Sequence, residues 1–352
     1  MELRIYDAEL NKIGIIEEYK SLLWNRKYYE PGCFTLKLPL TERNIAYIKR
    51  GRIIGKTDAV EAGVIEYINM TDEPGNKIME VKGRFLSSYL DRRVLVGSHT
   101  YTGTSEVIMR TCIGDAAAIP LLQLGELQGF TDTIKKQATY KNLLDVEEAI
   151  SKKSGHGFRI RPDFVEKALY FEVYNGLDRS KAQTDRSRAI FNETYGNLNK
   201  ISSTETDSLY KTVAYVGGEG EGEDRVYVTI GDTTATGLDL REVFIDAKNI
   251  RKEEGMTDEE YEQLLANEGY EKLSKSYIFS QSIDSTINPM LNFIYKRDYD
   301  LGDIVTIEKE SWDIQQNLQI TEIMEQYVGG GLQIVPTFGD PIPTTGWREE
   351  DE

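Results

Sequence analysis

Cys33 and Cys112 are the only thiols of the chain, and His99 and His156 its only imidazoles. A nucleophilic Cys or Ser needs a histidine base within hydrogen-bond reach. Both histidines sit in stretches, GSHTYTG and SGHGFR, that read as polar turns. Buried cysteine and loop histidine are the ordinary fates of such residues, so no catalytic residue is assigned. A zinc site draws on several Cys or His ligands at short spacing, and no His or Cys pair is spaced that way, so no metal and no cofactor residue is assigned either. Two isolated thiols cannot staple a chain this long, which points to a reducing compartment.

Carboxylates are the abundant chemistry. With 59 Asp and Glu, a pair at glycosidase spacing is always available, but nothing singles one out. The one dense cluster is Glu219, Glu221, Glu223 and Asp224, interleaved with glycines. Alternation directs such carboxylates the same way, a repulsion that calcium or a basic partner would relieve and that a solvated hairpin tip also explains. No phosphate-binding GxxxxGK[ST] motif occurs, and the glycines at 217–222 alternate with glutamates, which repel phosphate.

The elements that would position these groups are mostly strands. ELRIYD (2–7) and KIGIIE (12–17) alternate, as do two runs flanking Glu30-Pro31-Gly32 and two more flanking Thr71–Gly75, the second pair being 62–70 and 76–85. Between about 95 and 160 the period changes. Residues 105–114 and 140–155 favour helix, the second with Leu143, Val146 and Ile150 on one face, Thr139 as cap and Gly155 at its end. Strands resume at 158–161 and 169–174, and residues 176–199 read as a long surface loop. Two strands flank the glutamate-rich tip, and a helix over 257–276 opens on a Thr257–Glu260 capping box with Tyr261, Leu264 and Leu265 on one stripe. Four more strands follow, the last two joined by Gly329-Gly330-Gly331, and Gly302-Asp303 marks a tight turn entering one of them.

Composition sets the outer limits. The chain has 352 residues, 39% apolar and 29% charged, enough for two or three folded domains. Its net charge of −17 disfavours nonspecific binding to nucleic acid or anionic lipid. No run is apolar enough to span a membrane, and MELRIYDAEL carries acids where a signal peptide carries bases. The 21 tyrosines fit either contact surfaces or ordinary sheet.

Several stretches in order resemble the tail-tip baseplate hub proteins of long-tailed, non-contractile bacteriophages and related prophages. They are ELRIYD, YYEPGCFTLKLP, KIMEVKGRFLSSYLDRRVL, LYKTVAYVGGEGEGEDR, GLDLREVFIDAKNI, YKRDYDLGDIVTI and QITEIMEQYVGGGLQIVPTFG. The resemblance implies an α+β, mainly β chain with two antiparallel β-barrel-like domains and helix-containing segments between them. It also implies a homotrimer whose barrels form a nearly six-fold ring closing the tail tube, and no shared catalytic residue. The implied partners are the distal tail protein ring, the tape-measure protein and receptor-binding or fibre proteins. The implied place is the virion tail tip, assembled in the host cytoplasm. Residues 1–95 are then the first barrel, 96–199 an α/β domain, 200–249 with 300–340 the split second barrel, 250–299 a helical insert and 341–352 an acidic tail. In such a hub the net charge would make an acidic, DNA-repelling lumen. A tail-associated cell-wall hydrolase and a receptor-binding protein are the competing readings.

Overall fold

A computed structural model describes residues 1–198, 200–252, 255–286 and 293–339. The expected acidic tail at 341–352 lies outside the described residues.

Pro-Gly and Asp-Asn turns fold the amino-terminal strands into hairpins: β1 (Leu3–Tyr6) with β2 (Lys12–Ile16), and β3 (Ser21–Lys27) with β4 (Cys33–Pro39). A short helix α1 (Glu42–Tyr47), capped by Thr41, leads to β5 (Ile53–Lys56) and β6 (Ala62–Val64). The expected strand 62–70 is two strands. Its first part pairs with β5, and after Ile65-Glu66 the chain changes sheet as β7 (Tyr67–Glu73), paired with β8 (Asn76–Arg84).

The middle of the chain comprises β9 (Val94–Gly103), α2 (Ser105–Asp115), β10 (Leu122–Leu124), β11 (Ile134–Asn142), α3 (Leu143–Ser154), β12 (Gly157–Asp163) and β13 (Ala168–Tyr174). Helix α3 starts later than its pattern implies, because residues 134–142 are drawn into antiparallel pairing with β9. Asn142, not Thr139, caps it, its side chain accepting from Leu144 N and Asp145 N. Gly155 ends it in the left-handed conformation, and Leu143, Val146 and Ile150 are buried as expected.

The expected loop at 176–199 contains β14 (Ile190–Asn192), which pairs in parallel with the strand Ile304–Lys309. Ala189, Phe191 and Leu198 are buried there, so three apolar side chains too sparse to show a period still anchor the segment. After it come β15 (Lys200–Thr206), β16 (Val213–Gly217), β17 (Tyr227–Gly231), β18 (Glu242–Asp246), α4 (Asp258–Ser276), β19 (Ser280–Thr286), β20 (Ile304–Lys309), β21 (Ile314–Val328) and β22 (Gly331–Gly339). Helix α4 has the expected capping box and lays Tyr261, Leu264 and Leu265 over β16–β18.

The fold is mainly β with helices set beside the sheets. The two β-rich ends are not separate: β3 pairs with β21, so their strands join in one ten-stranded sheet. Among the described residues its main path, β15-β19-β22-β21-β3-β4-β8-β7, ends on β15 and β7, each paired on one side only, and does not close on itself. Alternation fixes its faces. Leu22, Trp24, Phe34, Leu36, Met79 and Val81 point into one core, and Ile320, Ile323, Ile334 and Phe338 into a second. Each such burial contributes on the order of 1.5–3 kcal/mol, and the shared sheet makes the two cores one continuous structure.

Across β3, β4, β8 and β21 the opposite face pairs lysines with glutamates. Lys27 lies 3.3 Å from Glu322, while Lys37 and Lys82 lie 3.5 and 3.2 Å from Glu80. Net charge is a sum over the whole surface and does not dictate the sign of one face.

Candidate functional site

The sequence offers its histidines as bases, and the structure places neither in a polar turn. His99 lies in β9 with its ring stacked on Tyr101, Nε2 3.0 Å from Val96 O and Nδ1 3.5 Å from the Asp115 carboxylate. His156 is buried before β12, stacked on Phe130 at 4.0 Å. Burial lowers its pKa, against the opposing pull of Asp132 and Glu106.

A serine that sequence reading missed stands beside it. Ser105 Oγ, at the start of α2, is 2.9 Å from His156 Nδ1. Asp132 approaches the same nitrogen at 3.9 Å. A nucleophile–base–acid relay uses the two ring nitrogens separately, serine on one and carboxylate on the other, and here both crowd Nδ1. Ser105 is also fully buried, and its backbone N–H donates to Asp132. The cluster straps the segment before β11 onto α2, with Glu106 accepting from Gln128 N and Gly129 N.

Of the thiols, Cys112 borders the His99 site through Tyr101 and Asp115. Cys112 is buried in α2, and desolvation and the nearby Glu147 push its pKa up. Cys33 opens β4 with its side chain exposed, and desolvation by its neighbours raises its thiol against the pull of Lys27. At the glutamate-rich tip, residues Gly222–Asp224 form a 3-10 turn, which ends the alternation expected of the carboxylates. Glu219 instead turns one oxygen to Lys252 N at 3.3 Å. Among the described residues no three His, Cys, Asp or Glu side chains are grouped to hold a metal ion.

The strongest electrostatics lie where the two β-rich ends join. Arg26 occupies the inward phase of β3 after Leu22 and Trp24, so alternation drives a guanidinium into the core. There it donates to Glu61 through Nε and Nη2, and through Nη1 to Asp300 at 2.5 Å and Tyr295 Oη at 2.9 Å. Glu325, in the same phase of β21 as Ile323, accepts from Lys56 at 2.6 Å, Tyr327 at 2.8 Å and Tyr295 at 3.0 Å. Lys296 adds contacts to Glu325 and Asp58, each at 3.3 Å. Burial alone would raise the Glu61 and Glu325 pKa values, but Arg26 in one case and Lys56 with Lys296 in the other hold them below the ordinary carboxylate range. The legible signal was an ionisable residue at an apolar phase of an alternating strand.

Beside this network the expected Gly302-Asp303 turn is present. Gly302 has φ +90°. Asp303 accepts from Leu177 N, Arg179 Nε and Asp300 N at 2.7, 2.8 and 3.0 Å, which fixes the entry to β20.

A sheet shared by both ends of the chain and a buried ionic network where they join are the features that a comparison with known proteins has to match. Residues 2–340 match the model of the Siphovirus ReqiPepy6 Gp37-like protein family, and the chain belongs to that family. No curated protein matches the sequence. Among solved structures, the tail protein from Neisseria meningitidis MC58 is similar at TM-score 0.59 and 11% identity, with 96% of each chain covered. The 43 kDa tail protein of prophage MuSo2 from Shewanella oneidensis is similar at TM-score 0.56 and 11% identity, covering 96% of this chain and 98% of that one. Prophage tail protein gp18 from Listeria monocytogenes EGD-e is similar at TM-score 0.52 and 12% identity, covering 97% and 95%. The protein is thus a phage tail component with the fold of prophage tail proteins.

Proposed function

We propose that the chain is the hub of the tail tip, a non-enzymatic homotrimer that closes the tail tube and lets DNA pass when the tip meets its host. The observation that carries this reading is the pair of edges that no described strand covers on one sheet, β7 at one end of an eight-strand path and β15 at the other. An unpaired strand edge is a template for another strand. Two different edges on one chain suit a head-to-tail contact, and head-to-tail contacts close into rings when the rotation allows. Three copies joined β7 to β15 would make one sheet around an axis.

In this reading the polar face of the sheet is the wall of the passage. The acidic lumen expected from net charge gives way there to lysines already paired with Glu80 and Glu322, which leave little net attraction for phosphate. The distal tail ring and the tape-measure protein are the proposed neighbours, and the division at 95, 199, 249 and 300 is the proposed domain scheme.

Engineered cysteines test the ring. In a Cys33→Ser background, Thr71→Cys on β7 and Thr204→Cys on β15, each scanned to neighbouring positions, should give a covalent species near three times 40.1 kDa under mild oxidant. Monomer alone at every register, together with monomeric light scattering at high concentration, would defeat the reading.

A further inference from the structure

A cleft of about 420 Å³ opens between β11 with the end of α3 on one side and α4 on the other. Its apolar lining includes Ile134, Ile150, Ile250 and Leu264. Five lysines line it against two glutamates. Lys136 pairs with Glu271, and Lys141 lies 3.6 Å from Glu268. Among the described residues, Lys135, Lys152 and Lys153 form no ion pair, so three positive charges border an apolar hollow in a chain of net charge −17.

We infer that this cleft binds an amphiphilic anion, specifically a single acyl chain ending in a carboxylate. The volume lies in the range of roughly 300–1,000 Å³ usual for small-ligand pockets. Each methylene covered by the lining contributes about 0.8 kcal/mol, and the lysines select the sign of the head group. An apolar cation of equal length meets the same lining but opposes the lysines. Because one wall is α4 and the other is β11 with α3, a bound chain also touches both parts, adding to the part-buried Lys136–Glu271 and Lys141–Glu268 pairs that already join them. The inference stands apart from the trimer reading, since one copy contains every group involved.

Calorimetric titration of the full-length chain with dodecanoate below its micelle concentration tests it. Saturable one-to-one binding is expected, weakened about tenfold or more by K152E/K153E. Lys152 and Lys153 also offset the dipole at the end of α3, so Lys135→Glu on β11 is the second variant, expected to weaken binding with an unchanged circular dichroism spectrum. A photoreactive dodecanoate should label residues within 134–153 or 249–274. Equal binding of dodecyltrimethylammonium, unchanged affinity in both variants, labelling elsewhere, or binding only of an acidic peptide would each overturn the inference.

Discussion

The Arg26 guanidinium lies side by side with the Glu61 carboxylate, Nε within 3.1 Å of Oε2 and Nη2 2.9 Å from Oε1, with both side chains under a tenth exposed. This pair ties β3 to the segment between β5 and β6, and Asp300 extends it to the other end of the chain. Low dielectric strengthens the pair but makes either charge costly alone. Glu61→Leu should therefore destabilise the protein by about 3–5 kcal/mol, because it strands the guanidinium. Arg26→Met with Glu61→Leu should lose much less, since Asp300 is part-exposed and can turn to water. Urea midpoints of the two variants check this, and equal losses would show that the pair does not act as a unit.

Acid should unlock the same junction. Glu61, Glu325 and Asp58 all titrate below their ordinary values because of Arg26, Lys56 and Lys296, although burial pulls the other way. A carboxyl depressed in the folded state adds stability above its unfolded pKa and loses it as pH falls through the folded one. In a Glu147→Leu background, which removes a buried carboxyl that titrates in the opposite sense, the melting temperature should drop as pH falls from about 4.5 toward pH 3. Glu325→Gln should start lower at neutral pH and fall less steeply over that window. Parallel melting curves for the two proteins would contradict the assignment.

At Gly302 conformation and space coincide. Its φ of +90° disfavours any side chain, and a Cβ there would lie 2.3 Å from the Tyr28 ring. A left-handed conformation costs a non-glycine residue roughly 1–2 kcal/mol, and overlap with a fully buried ring adds to it. Gly302→Val should lower the melting temperature by more than Asp298→Ala, which removes an acceptor for Ile294 N and the Arg297 pair at the surface. Equal melting temperatures would refute the packing argument.

Hairpins, the capped α4 and the Gly302 turn were legible because each rests on local rules of alternation, capping or φ. Sheet membership was not. Whether 62–73 is one strand or two depends on where β5 and β8 lie, and β14 exists because β20 offers it an edge. The start of α3 moved for the same reason, with β9 outcompeting the helix for residues 134–142. Ser105 and His156 are 51 positions apart, and nothing local announces their contact. Arg26, Lys56 and Glu325 went unread, although each is a charge at an apolar phase of its strand, and their pairing across the junction is a property of the fold.

Glu147 gives the sharpest remaining test because it is an ionisable residue in the wrong phase with no counter-ion among the described residues. It shares the inward face of α3 with Leu143 and Ile150, is fully buried, and neither carboxylate oxygen has a hydrogen-bond partner. Desolvation pushes its pKa well above the ordinary 4.5, so folding favours the neutral acid. The sign is opposite to that at the junction. A raised carboxyl adds no penalty below its unfolded pKa, and stability is lost as pH climbs from there toward the folded value. Glu147→Leu removes the titration and fills the site with a similar volume, so it should be more stable than the parent at pH 7. Its advantage should grow by about 1.4 kcal/mol per pH unit above 4.5 until the folded-state pKa is reached. Urea unfolding of both proteins between pH 5 and pH 8 measures that difference. A constant offset across the range would mean that Glu147 does not hold its proton in the folded core.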